Sequence, residues 1–182
     1  GTVVRLLDVD AANLDALRGL QGIARAEGDT AELIELISKE IENTDDAGRR
    51  ASLRVELGQV EANDGDVESA LEQYRVALSF DPESTLALDS IREHLVGDHG
   101  SQAARVLYEH YNLQESWEAL AQILSQLTEL ADDDAETADY QIELGRLYRD
   151  KLDQPNDAFE CFVLALALAA EADTLRSETL AL

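Results

Sequence analysis

Apolar residues recur every three or four positions through most of the chain, the spacing of one helix face. Leu14, Leu17, Leu20 and Ile23 form such a stripe and predict a helix over residues 11–26. Leu33, Ile34, Leu36, Ile37 and Ile41 predict a second over 30–43. Two more helices fill 51–84, divided at Asp64-Gly65-Asp66. Leu86, Leu88, Ile91 and Leu95 predict a helix over 84–96, and Ala103, Ala104, Val106, Leu107 and Tyr111 one over 101–111. Trp117, Leu120, Ile123, Leu124, Leu127 and Leu130 predict another over 115–131, and a last pair covers 138–172. Gly28-Asp29, Gly65-Asp66 and Gly97-Asp98 punctuate the series. In each, a glycine can take the left-handed turn that ends one helix and an aspartate can cap the next. Apart from two valines at the start, no alternating run supports a strand. The pattern predicts an all-α chain of about ten helices.

Within 51–84, small residues stand where two helices would cross. Gly58, Ala70 and Ala77 are the small ones, Leu57 and Tyr74 the bulky ones beside them, and Pro82 follows the second helix. Helix axes approach to about 8–10 Å only when such residues face the contact. This 34-residue stretch resembles a tetratricopeptide (TPR) unit. Over 138–172, Leu144, Gly145, Tyr148, Ala158, Phe162 and Ala165 repeat the motif with one inserted residue near Leu152. Two departures are Arg54 and Gln141, which stand where many TPR units carry tryptophan. The resemblance implies a right-handed α-solenoid of antiparallel helix pairs, a TPR-like superhelix. In this reading a single domain over 1–182 contains a degenerate repeat (11–47), a TPR (51–84), degenerate helices (84–131) and a second TPR (138–172). In the degenerate repeat, Leu33 and Glu40 replace the small residues of the crossing.

The halves are related by a fixed offset. Adding 87 to Leu33, Ser38, Glu42, Asp45, Asp46, Ala51, Glu56, Leu57 and Gly58 gives the same residue type each time, nine identities in 29 ungapped positions. An internal duplication follows. Three predicted helices lie between the two TPR-like units, an odd number, which predicts a kink or change of phase near Tyr111 to Glu115. The opening VVRLLDVD resembles the end of a preceding second helix, and the closing AEADTLRSETLAL the start of a further one. Both ends are therefore expected to be cut from a longer array.

Composition narrows the partners. Thirty-nine acidic against 14 basic side chains leave a net charge of −25. Such a surface repels phosphate, which argues against nucleic acid and anionic membranes. Twelve arginines against two lysines, with abundant Asp and Glu, fit a salt-adapted bacterial source. Cys161 is the sole cysteine, so no intrachain disulfide or cysteine-based metal site can form, and its apolar neighbours predict a buried thiol. No apolar run is long enough to span a bilayer, and a cytoplasmic setting is favoured.

Catalytic and metal-binding signals are weak. His94, His99 and Asp98 match no zinc spacing, and His110 stands apart from them. Asp132, Asp133, Asp134 and Glu136 lack the alternation and glycine of a calcium loop and read instead as helix caps. No nucleophile elbow or phosphate-cradling loop is present. The chain is expected to be non-catalytic, with no cofactor and no metal. The resemblance to TPR proteins implies a protein or peptide partner held on the first-helix face of each pair. The residues it places there are Ser52, Val55, Gln59 and Ala62 in one unit and Asp139, Ile142, Arg146 and Arg149 in the other. Arg146 and Arg149, three apart on one helix, would attract a carboxylate-bearing segment; the alternative is pairing with Glu143, Asp150 or Asp153 on their own surface. Trp117, which replaces Thr30 of the first half, reads as a packing residue rather than a binding anchor. Two other roles stay open: a regulatory or sensing module of a larger enzyme, and a structural spacer.

Overall fold

The computed structural model describes the backbone of residues 13–180 and the side chains of residues 13–170. The chain is all-α. Among the described residues there are nine helices and no strand: α1 (Leu14–Glu27), α2 (Thr30–Glu42), α3 (Ala47–Asp64), α4 (Val67–Phe80), α5 (Thr85–Glu93), α6 (Gly100–Leu113), α7 (Trp117–Leu130), α8 (Asp134–Asp150) and α9 (Pro155–Leu180). They fall into two compact units that divide between Glu93 and His94. In the first, α1 packs on α2, α2 on α3, α3 on α4, and α5 lies against both α4 and α3. In the second, α6 packs on α7, α7 on α8 and α8 on α9. Subtracting 87 from the bounds of α6, α7 and α8 returns those of α1, α2 and α3 to within one residue. The duplication therefore covers at least three helices, and among the described residues α5 has no separate counterpart.

Helix starts use the acidic composition. Asp29, Asp46, Asp66 and Asp133 each accept the backbone N–H three residues ahead, and Asn13 does the same for α1. These bonds satisfy N–H groups that a helix start leaves unpaired. The acidic run 132–134 thus works as a cap: Asp133 binds the N–H of Glu136, and the Glu136 carboxylate accepts that of Asp132. Gly28 and Gly65 close α1 and α3 with φ of 73° and 98°, as their spacing predicts.

The buried face of α1 runs through Leu17, Gln21 and Ala24, meeting Leu33, Leu36, Ile37 and Ile41 of α2 and Leu53 and Leu57 of α3. Ile23, expected on that face, is 49 % exposed. The expected change of phase concerns residues 111–115. There α6 and α7 join in a tight turn through Glu115, whose φ is 52°, and pack on each other. The odd helix of the count is α5, which completes the first unit. At the other end α9 continues to Leu180, because Ala170 stands where Pro82 follows α4. The expected new helix start after Ala170 is therefore not seen in the backbone. The alignment of the first ten residues lies outside the described residues.

Candidate interaction surface

The tightest crossings are the ones the small residues mark. A Cβ built on Gly58 would lie 2.5 Å from Cε1 of Tyr74 and 3.0 Å from the Ala70 carbonyl oxygen. One built on Gly145 would lie 2.6 Å from Cε1 of Phe162. Each glycine thus lets an aromatic ring of the second helix lie directly on the first. Ala70 and Ala77 in one pair, and Ala158 and Ala165 in the other, are buried beside these rings. The hairpins α3–α4 and α8–α9 are TPR-like.

Comparison with known proteins adds little to that statement. No family model matches the chain, and no curated protein does. Solved structures similar to it include MamA, with 14% identity over 94% of this chain and 87% of that one and a TM-score of 0.37. BtubC (BKLC) from P. vanneervenii has 15% identity over 94% and 87%, with a TM-score of 0.39. A Podosopora anserina putative kinesin light chain with nearly identical TPR-like repeats has 19% identity over 93% and 85%, and a TM-score of 0.39. Likenesses of this size bear on neither function nor partner.

The predicted contact residues of the TPR-like pairs differ in what they can reach. Val55 is 1 % exposed and can touch no partner; it belongs to the core of the first unit. Its burial follows from its neighbours: α3 packs on α2, α4 and α5, so its apolar positions turn inward. Ser52 is exposed and donates to the Gly48 carbonyl at 3.0 Å, and Gln59 and Ala62 are half-buried. In the second unit Asp139 is exposed and Ile142 half-buried.

Arg146 and Arg149 are both exposed but have different neighbours. Arg149 forms a two-pronged pair with Asp150, at 2.7 and 2.9 Å, and its guanidinium lies 5.8 Å from the Phe162 ring centre. The hydrogen bond with Arg149 holds the Asp150 carboxyl below its ordinary range. Arg149 is thus paired on its own surface. Arg146 lines a cleft of about 230 Å³ among α6, α7 and α8. Buried Leu120, Leu124 and Leu147 floor it, and Trp117 and Lys151 share its wall. The Lys151 ammonium lies 4.4 Å from the Trp117 ring centre. Both carboxylates of the cleft have partners. Glu143 accepts the Tyr108 hydroxyl, and Asp150 accepts Arg149. Burial and the Glu143 carboxylate together push the Tyr108 hydroxyl up to about 12, so it stays a donor. Two cations and an indole therefore border an apolar floor whose anions are already bound.

The matched positions of the first unit do not repeat this lining. Subtracting 87, Arg25, Thr30, Gln59 and Asp64 replace Asn112, Trp117, Arg146 and Lys151. Arg25 there pairs with Glu56, the counterpart of Glu143. The sequence pointed to Arg146 and missed Lys151; the exchange of Thr30 for Trp117 and Asp64 for Lys151 between the halves was the available signal. Among the described residues, no three His, Cys, Asp or Glu side chains gather to hold a metal ion. His99 contacts Gln102 at 2.8 Å, and His110 is buried edge-on to Tyr111. Nor, among these residues, is any helix long and apolar enough to cross a membrane.

Proposed function

We propose that the chain is a non-catalytic interaction scaffold. It holds a partner protein segment on the first-helix face of its hairpins, and the principal contact is the cleft of the second unit. The cleft's donor set carries this reading: Arg146 and Lys151 stand beside Trp117 over a leucine floor, while Glu143 and Asp150 are bound by Tyr108 and Arg149. Such a lining suits an extended segment that inserts an apolar side chain and presents a carboxylate beside it. Aromatic and arginine anchors in a desolvated pocket are the residue types that carry most binding energy in protein interfaces. Asp139 and Ile142 lie on the same helix as Arg146 and extend the contact, and Ser52, Gln59 and Ala62 lie on the corresponding helix of the first unit.

Trp117 is the only tryptophan, so its emission reports on this cleft alone. Peptides selected from a random library on the 182-residue chain are expected to be acidic with an interspersed apolar residue. They should shift Trp117 emission and lose about tenfold in affinity with Arg146→Ala, about 1.4 kcal/mol. Binders that leave Trp117 unchanged and ignore both Arg146→Ala and Lys151→Ala would remove the proposal.

A further inference from the structure

Among the described residues the second unit repeats the first with one helix fewer, and the difference is written on α9. Allowing for the inserted residue, α9 positions are 88 higher than those of α4, so Ala70, Tyr74 and Ala77 correspond to Ala158, Phe162 and Ala165. Among the described residues α4 packs on α3 and α5. α9 has α8 in the place of α3, and among the described residues no helix takes the place of α5. Leu71 and Leu78 are 3 % and 4 % exposed on α4; their counterparts Phe159 and Leu166 are 68 % and 71 % exposed. Arg75 is replaced by Val163, 47 % exposed. Phe159, Val163 and Leu166 follow the i, i+4, i+7 spacing and form one stripe along α9. A contiguous stripe of large apolar side chains on a chain of charge −25 marks a contact surface rather than ordinary exposure.

We propose that this face of α9 seats an amphipathic helix of another protein, with lysine or arginine flanking its apolar side, in the way α5 lies on α4. The first unit shows the form of the occupant. α5 is nine residues long and buries Ala87, Ser90 and Ile91, small and medium side chains spaced i, i+3, i+4. Phe159 and Leu166 are seven residues apart, about 10 Å along the axis, a length that two to three turns of helix cover. Charge selects the flanks. Asp157 and Glu160 are exposed on α9, and the net charge of the chain attracts a basic segment. A second copy would bring −25 against −25.

The test uses the 182-residue chain at low salt and three fluorescein-labelled twelve-residue peptides stapled as helices. One has apolar residues at i, i+3, i+4 and i+7 with Lys and Arg flanks; the second has Glu flanks; the third is a scramble of the first. Fluorescence anisotropy should show the basic peptide bound, the acidic one at least tenfold weaker and the scramble weaker still. Leu166→Glu alters a side chain already in water, and circular dichroism should confirm an intact fold. It should weaken the basic peptide at least tenfold, whereas Arg146→Ala should leave it unchanged, which separates this surface from the cleft. Equal affinity for the wild type and Leu166→Glu, or absence of binding by the basic peptide, would overturn the proposal. So would a wild-type dimer in sedimentation that Leu166→Glu dissociates, since a second copy would then be the occupant.

Discussion

Gly58 and Gly145 occupy matched positions in the two halves, yet their surroundings set different costs for a methyl group. An alanine at either gains about 1 kcal/mol of helix propensity and faces an overpacking cost of about 1–3 kcal/mol. Which term wins depends on whether the opposing ring can yield. Tyr74 is 1 % exposed and meets Ser90 of α5 through a hydrogen bond, and the Gly58 methyl would also meet the Ala70 carbonyl oxygen at 3.0 Å. Phe162 is half-buried, and among the described residues no such helix covers it. Gly58→Ala is therefore expected to lower stability by about 1–2 kcal/mol, and Gly145→Ala to leave it nearly unchanged. Urea midpoints at constant m-value measure both; equal losses would mean that Phe162 is held as firmly as Tyr74. The close approach itself was legible, because a glycine facing an aromatic at this spacing has few other uses. The difference in yield was not, because it depends on α5, a short helix whose packing partners no local pattern specifies.

Three helices of the first unit are tied by one side chain that the sequence marked only as a departure. Glu40 of α2 stands where the pattern asks for a small residue, and it is fully buried. Its carboxylate accepts Arg18 and Gln21 of α1 at 2.9 and 2.8 Å and Arg49 of α3 at 2.9 Å. The bonding donors lie 22, 19 and 9 residues away, so neither spacing nor propensity could have joined them. The duplicate reaches the same end otherwise: Leu127 replaces Glu40, while Arg105–Glu136 and Tyr108–Glu143 tie α6 to α8. Burial pushes the Glu40 carboxyl up, but the bonds from Arg49, Gln21 and Arg18 outweigh it and hold it below its ordinary value. A depressed folded value means stability that is present in full above the unfolded value near 4.5 and lost as pH falls through the folded one. Glu40→Gln should cost roughly 1–3 kcal/mol at pH 7, kept from the larger loss of a fully buried pair because Arg18 and Arg49 reach solvent. That cost should shrink as pH falls below 4.5 toward the folded value, where the advantage of the charged carboxylate is lost. A penalty independent of pH would assign Glu40 a packing role alone.

Over the whole molecule, 39 acidic side chains serve two opposed ends. Those at helix starts complete N–H groups that nothing else would satisfy, and the hydrogen bond from the Ser69 backbone holds Asp66 below its ordinary value. The rest repel one another, and a net charge of −25 favours any state that spreads it apart. Exposed pairs such as Arg75–Glu72, Arg92–Asp89 and Lys39–Glu35 offset little of this, at about 0–1 kcal/mol each. Salt weakens both terms, but the repulsion has 25 excess charges behind it and acts over longer distances. The Debye length falls from above 10 Å near 0.05 M salt to about 4–5 Å near 0.5 M, which removes most repulsion between charges on different helices. Raising NaCl across that range should therefore raise the melting temperature by several degrees. The charge-reversing pair Glu109→Lys and Glu129→Lys, both at exposed positions, should raise it at low salt and shrink the further gain from added salt. The second outcome separates screening from a general salt effect on apolar burial, which the reversal would leave intact. A melting temperature that falls with salt would mean that ties such as Arg105–Glu136 outweigh the net repulsion.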